Sequence, residues 1–298
     1  MNLKNIPRNP ASQGAEGAFS ISGTCRGAAL SVMTLIVLAP DASVAQMLLS
    51  ENDCAFIRRY DSENDYSLVS DFSYMAHHVD SGPDCNDCFL SLLRRGMDVR
   101  ITLHGISILQ ELDSMAGALA MYSYLMMKEA MLSVEFETAS LGEPLLGGWI
   151  AIFFIDRSNV HDAIDLFDGR PGFQRELSRF VRPENTCFTS MPEWTRHREI
   201  SFVFINTEFN RSPDYISSCV RQELYNASGL RGDPQGDIGL FSNVRWRGQA
   251  LPPPLYYNYG LRDQIMMRLL YDEAFSNGQT YQETFVDAQQ IVSQCYAD

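Results

Sequence analysis

The stretch Cys219-Val-Arg-Gln-Glu-Leu-Tyr-Asn-Ala-Ser-Gly-Leu230 places one carboxylate among carboxamides in a segment that reads as a helix. At about 100° per residue, Ile216, Val220, Ala227 and Leu230 share one side, and Ser217, Ser218, Arg221, Tyr225 and Ser228 fall opposite. Glu223 lands inside the apolar sector, with Cys219 and Asn226 beside it and Gln222 on its edge. An inward carboxylate is costly unless it is paired or hydrogen-bonded. Two imidazoles at i and i+4 around such a glutamate hold zinc and leave the glutamate as general base. Here Gln222 and Asn226 occupy both ligand positions, and an amide is a far poorer zinc donor than imidazole. The spacing therefore predicts no bound metal and no cofactor, with Glu223 the lone candidate for catalysis.

The elements that position this helix can be read on either side of it. Asn210-Arg-Ser-Pro213 opens it, with Ser212 as N-cap and Pro213 at the first helical position, and Gly229 closes it in a left-handed conformation. Glu199–Ile205 is the strand that feeds it. Upstream, Asp98–Leu103 alternates as a strand, Ile106–Met131 carries a Met- and Ala-rich helical pattern, and Ser133–Glu137 is a second strand. Trp149–Ile155 is apolar on both faces, as a central strand is. His161–Phe167 and Pro171–Phe180 read as short helices, and Thr186–Ser190 as extended chain or loop. Downstream, Leu261–Asp272 and Tyr281–Cys295 are helices, and Arg268 sits beside the first one's stripe of Leu261, Ile265 and Leu269. The order predicts an α+β fold: a mixed sheet with a long helix packed on it and a helical C-terminal part.

The chain has 298 residues and a formal net charge of −14. Arg26, the apolar run from Ala28 to Pro40 and Ser43-Val-Ala45 predict a secretory signal over residues 1–45, cleaved before Gln46. The run is too short to span a bilayer, so the mature chain is expected to have no transmembrane segment. Loss of Lys4, Arg8, Arg26, Glu16 and Asp41 leaves 20 basic against 35 acidic residues and a net charge of −15. Such a surface repels nucleic acid and anionic membranes. Residues 46–95 read as an N-terminal extension with a Cys-stapled loop and 96–298 as the α+β domain. The extension is poorly periodic, except for a helix over Ser67–Ala76 that leads into His77-His78. Adjacent histidines point to different sides, so a solvated or capping role is expected for them.

Six cysteines remain in the mature chain, an even number that in an exported protein predicts up to three disulfides. Cys85 and Cys88 can pair locally, and Asp84 and Asp87 beside them disfavour a reactive thiolate. A strand-to-helix return can join Cys187 to Cys219. Cys54 and Cys295 are then left as a terminal staple.

The run Gln222-Glu-Leu-Tyr-Asn226, Gly229-Leu-Arg-Gly-Asp233, Gly239-Leu-Phe-Ser-Asn243 and Arg268-Leu-Leu-Tyr-Asp272 resembles a family of mostly exported bacterial proteins catalogued as a domain of unknown function. The resemblance covers roughly residues 96 to 280. It implies a fold similar to the zinc metallopeptidase (zincin) superfamily, with a degenerate Glu-Glu-x-x-Gln helix motif. Gln222 stands for that family's first Glu, Asn226 for its Gln and Gly232 for its Asn. Gln222, Asn226, Asp233, Asp263 and Arg268 are accordingly the candidate binding or structural residues. Glu223 facing inward and Arg268 beside an apolar stripe predict a buried ion pair locking the two helices together.

The function expected is that of an exported, periplasmic or extracellular, non-catalytic module that binds a protein or envelope component. A metal- or Glu223-dependent hydrolase and a structural subunit of a secreted assembly are the alternatives. The five histidines, His77, His78, His104, His161 and His197, are scattered, and none lies on the motif helix.

Overall fold

In the computed structural model the residues described are 49–79, 88–95, 98–105, 109–139, 150–166, 177, 180–182, 187–190, 201–208, 213–232 and 259–297. All of them belong to one compact unit. The chain begins with two helices, α1 (Glu51–Glu63) and α2 (Leu68–His77), and a small antiparallel pair, β1 (His78–Val79) and β2 (Cys88–Phe89). Then come β3 (Asp98–His104), α3 (Leu109–Leu125) continued by a π-helical turn (Met126–Ala130), β4 (Ser133–Ala139), β5 (Ile150–Ile155) and α4 (Val160–Leu166). The strands β6 (Cys187–Ser190) and β7 (Ser201–Asn206) lead into α5 (Pro213–Ala227). Helices α6 (Leu261–Leu270) and α7 (Tyr281–Ser293) follow, with a short 3-10 turn over Gln294–Tyr296.

Five strands make one mixed sheet in the order β4-β3-β5-β7-β6. The first four are parallel, and β6 runs antiparallel to β7 along the opposite edge. The fold is α+β. Every residue of β5 and β7 is buried, because side chains pack on both sheet faces. On one face Val99, Ile101, Leu103, Ile150, Ile152, Phe154, Val203 and Ile205 join the main core formed with α3, α5 and the other helices. On the other, Ala151, Phe153, Ile155, Phe202 and Phe204 pack with Val160, Ala163, Leu177 and Phe180. The strict alternation of these two sets follows from the period-2 geometry of a strand.

Sequence periodicity misses α1. Its buried residues, Asp53, Cys54, Ile57 and Tyr60, form a narrow stripe with a carboxylate in it. Ser50 caps the helix and Asp53 returns the bond, accepting from the Ser50 backbone N–H at 2.8 Å. The two N-terminal helices pack on the C-terminal ones, and the Cys54–Cys295 disulfide joins α1 to the final turn. Thr186–Ser190, ambiguous in sequence, contains strand β6. The helix expected over Pro171–Phe180 lies mostly outside the described residues, as do Ser212, Asp233, Cys85 and the segment 1–48. Among the described residues no helix is long and apolar enough to cross a membrane.

Candidate functional site

Helix α5 is buried on nearly all sides, contrary to a two-faced reading. Val220, Leu224 and Ala227 are fully buried, but so are Tyr225 and Ser228, and Arg221 is 2 % exposed. The face expected to be polar and open is covered by α3 and by the segment around α6. Tyr122 Oη lies 2.6 Å from Ser228 Oγ. Tyr225 Oη donates to the Asp263 carbonyl at 3.0 Å, and Tyr259 Oη donates to the Arg221 carbonyl at 3.1 Å. Burial pushes the Tyr122 hydroxyl up to about 12, and those of Tyr225 and Tyr259 well above the ordinary range, so all three stay protonated donors.

Glu223 is 4 % exposed and turns toward the edge of the sheet. Its Oε2 accepts from Thr189 Oγ1 at 2.7 Å, and the same hydroxyl lies 3.1 Å from the Glu223 backbone carbonyl. Cys187, two residues before Thr189 on β6, is disulfide-bonded to Cys219, one turn before Glu223 on α5. Two strand residues span about 6.6 Å and one helical turn 5.4 Å, so the disulfide and the hydrogen bond form parallel rungs between the same two elements. A signal for this was present: a threonine at the same strand parity as a cysteine, opposite a glutamate one turn from another cysteine.

The expected Glu223–Arg268 pair does not form. The Arg268 guanidinium is engaged by Glu129 Oε2, through Nε at 2.8 Å and Nη2 at 2.5 Å, and by Asp53 Oδ2 through Nη1 at 2.5 Å. The reason is angular. The α6 segment meets α5 at Tyr225, and two residues along a helix turn the side chain by about 200°, so Glu223 points away from α6. Glu129, on the π-helical turn, and Asp53, on α1, stand where α6 presents Arg268. Glu129 is 1 % exposed and also pairs with Lys128 at 2.9 Å. Burial raises the Asp53 carboxyl, but hydrogen bonds from Ser50 and the Arg268 charge outweigh it and hold the group below its ordinary value.

The remaining candidates separate. Asp263 is 1 % exposed and is a structural cap: it accepts from the Gly260 backbone N–H at 3.0 Å and from Arg262 at 3.0 and 3.2 Å. Gln222 is half-buried beside Glu223. Asn226, one turn on, is buried, and its Oδ1 has no hydrogen-bond partner among the described residues. Asp233 lies outside the described residues. The motif end of α5 thus brings Glu223 and Thr189 together, with Gln222 and Asn226 as the helix neighbours of Glu223, and leaves Asp263 and Arg268 in separate polar clusters.

The adjacent histidines are not solvated. His77 is fully buried: Nδ1 donates to the Leu90 carbonyl at 2.5 Å, and Nε2 faces Thr284 Oγ1 at 2.8 Å. Burial holds its pKa below the ordinary value, so the ring is neutral in the fold. His78 is also buried and stacks on Tyr74, whose hydroxyl is 3.0 Å from Nε2. His104 stacks on Phe153 across the sheet. His161 is exposed, and His197 lies outside the described residues. Among the described residues no group of three or more His, Cys, Asp and Glu side chains is arranged to hold a metal ion.

The chain matches no family model and no curated protein.

Proposed function

We propose that this chain is an exported, non-catalytic binding module on a zincin-like frame, a degenerate member of the exported bacterial family its motifs resemble. The observation that carries the reading is the state of Glu223. This residue, placed as the general base of a zinc-binding helix would be, is buried and bonded to Thr189 Oγ1 at 2.7 Å, beside the Cys187–Cys219 bridge. A base held by a protein hydroxyl and flanked by amides is a rung of the fold. The frame itself supports the zincin-like reading, since the motif helix follows the last strand of a mixed sheet and packs on it.

Export is supported by the Cys54–Cys295 and Cys187–Cys219 disulfides, which form and persist in oxidising compartments. The signal-like segment 1–45 agrees with them. The acidic surface favours a protein or envelope component as partner over nucleic acid.

The test is the purified mature protein, with and without added zinc, assayed for metal content, melting temperature and hydrolysis of a peptide library. The expected result is no stoichiometric zinc, no thermal shift and no turnover. Bound zinc, or a hydrolytic activity that Glu223→Gln abolishes without lowering the melting temperature, would make the protein a hydrolase and end this reading.

A further inference from the structure

Strand β4 is an outer strand, with β3 its only strand neighbour among the described residues. From Val134 to Ala139, alternate residues turn their N–H and C=O groups away from β3, and no further backbone partner meets them among the described residues. The two sides of β4 differ in chemistry. Val134 and Phe136 are half-buried and pack against the main core, leaving apolar surface open at the rim. Glu135 and Glu137 point to the other side and are exposed, as is Thr138. Glu135 lies opposite Arg100 in register and meets it at 3.5 Å. Glu137 lies opposite Thr102 and has no cationic partner among the described residues.

We propose that this edge docks an extended segment of a partner protein in which basic and apolar side chains alternate. Added as a sixth strand, such a segment places its apolar residues beside Val134 and Phe136 and its basic ones beside Glu135 and Glu137, while the backbones bond. The charge pattern disfavours a second copy of this chain in the antiparallel registers that pair most of the strand. In an antiparallel self-pairing centred on Phe136, Glu135 of one copy falls opposite Glu137 of the other; centred on Glu135, that residue meets itself. Like charges directly opposite are destabilising, and the chain's net charge of −14 opposes self-association further. The other outer strand, β6, is four residues long and already tied to α5. The proposal is independent of the role assigned to Glu223, and its experiment reads a different edge of the sheet.

The probe is a capped seven-residue peptide, Lys-Val-Lys-Val-Lys-Val-Lys, compared with one of the same composition that has its lysines and valines in separate blocks. Affinity is measured by calorimetry on the full mature chain, and amide exchange is followed along β4. The alternating peptide should bind roughly tenfold tighter than the blocked one and slow exchange from Val134 to Ala139. Glu137→Lys, a change at an exposed position, should weaken that binding roughly tenfold, and a peptide with Glu in place of its lysines should then bind this variant in preference. Equal affinity for both peptides, binding without protection of β4, or self-association of the chain through β4 would each overturn the proposal.

Discussion

At the scale of single residues, partnership decides what each buried charge does. Arg268 serves Glu129 and Asp53, so Arg268→Met strands two carboxylates and should cost about 3–5 kcal/mol of stability. A double-mutant cycle separates this pairing from the one the sequence suggests. Glu129→Gln with Arg268→Met should show coupling of about 0.5–3 kcal/mol, and Glu223→Gln with Arg268→Met should be additive within about 0.5 kcal/mol. Strong coupling in the second cycle would contradict the geometry of α5. Gly229 sets another constraint of this kind. Its φ is +125°, and a Cβ there would sit 2.0 Å from the Leu93 carbonyl oxygen. Gly229→Ala must move backbone, and urea denaturation should show a loss of roughly 3 kcal/mol or more.

At the scale of elements, the contact between β6 and α5 rests on two rungs, one covalent and one hydrogen-bonded. Thr189→Val keeps the volume and removes the donor to Glu223 Oε2. A buried acceptor that loses its donor costs about 1–3 kcal/mol. Replacing Cys187 and Cys219 together by Ser removes the other rung and should lower stability by roughly 2–4 kcal/mol. Hydrogen exchange distinguishes a local effect from a global one: amides of β6 should open first in the double variant, while those of β5 keep their protection. Uniform acceleration across the sheet would mean that the bridge acts only on the unfolded chain. Helix α5 itself resists fraying at its C-terminus, since Arg95 Nε donates to the Ala227 carbonyl at 2.8 Å and Tyr271 Oη to that of Ser228 at 3.2 Å.

At the scale of the whole molecule, the first and last helical segments are one structural region. Cys54–Cys295 closes a separation of 241 residues, and Arg58 Nη1 donates to the Cys295 carbonyl at 2.5 Å beside it. His77 lies at the same junction, between Leu90 and Thr284 of α7. Its folded pKa is below the ordinary 6.5, so the unfolded chain binds its proton first as pH falls. Stability should therefore be fully present above pH 6.5 and decline as pH drops from there through the depressed folded value. Asp53 gives the same sign in a lower window, below 3.8. Melting temperatures across pH 4.5–7.5 check the first of these: the wild type should lose stability on acidification, and His77→Gln should flatten the curve over that range. A slope unchanged in the variant would assign the acid sensitivity to another group.

The sequence alone determined the α+β order, the central strand β5, the boundaries of α5 and the strand-to-helix return that made Cys187 and Cys219 available to each other. These are local or periodic properties: an apolar run, a 3.6-residue stripe, a proline at a helix start, a glycine at its end. Tertiary structure decided which neighbours cover each face. A helical wheel ranks the faces of α5 by composition, but Tyr122, Tyr259 and Asp263, far away in the chain, turned its polar face into an interior one. The same limit applied to Arg268 and to His77. Their partners, Glu129, Asp53, Leu90 and Thr284, come from segments up to 215 residues away, and no pattern within one segment fixes how two helices meet.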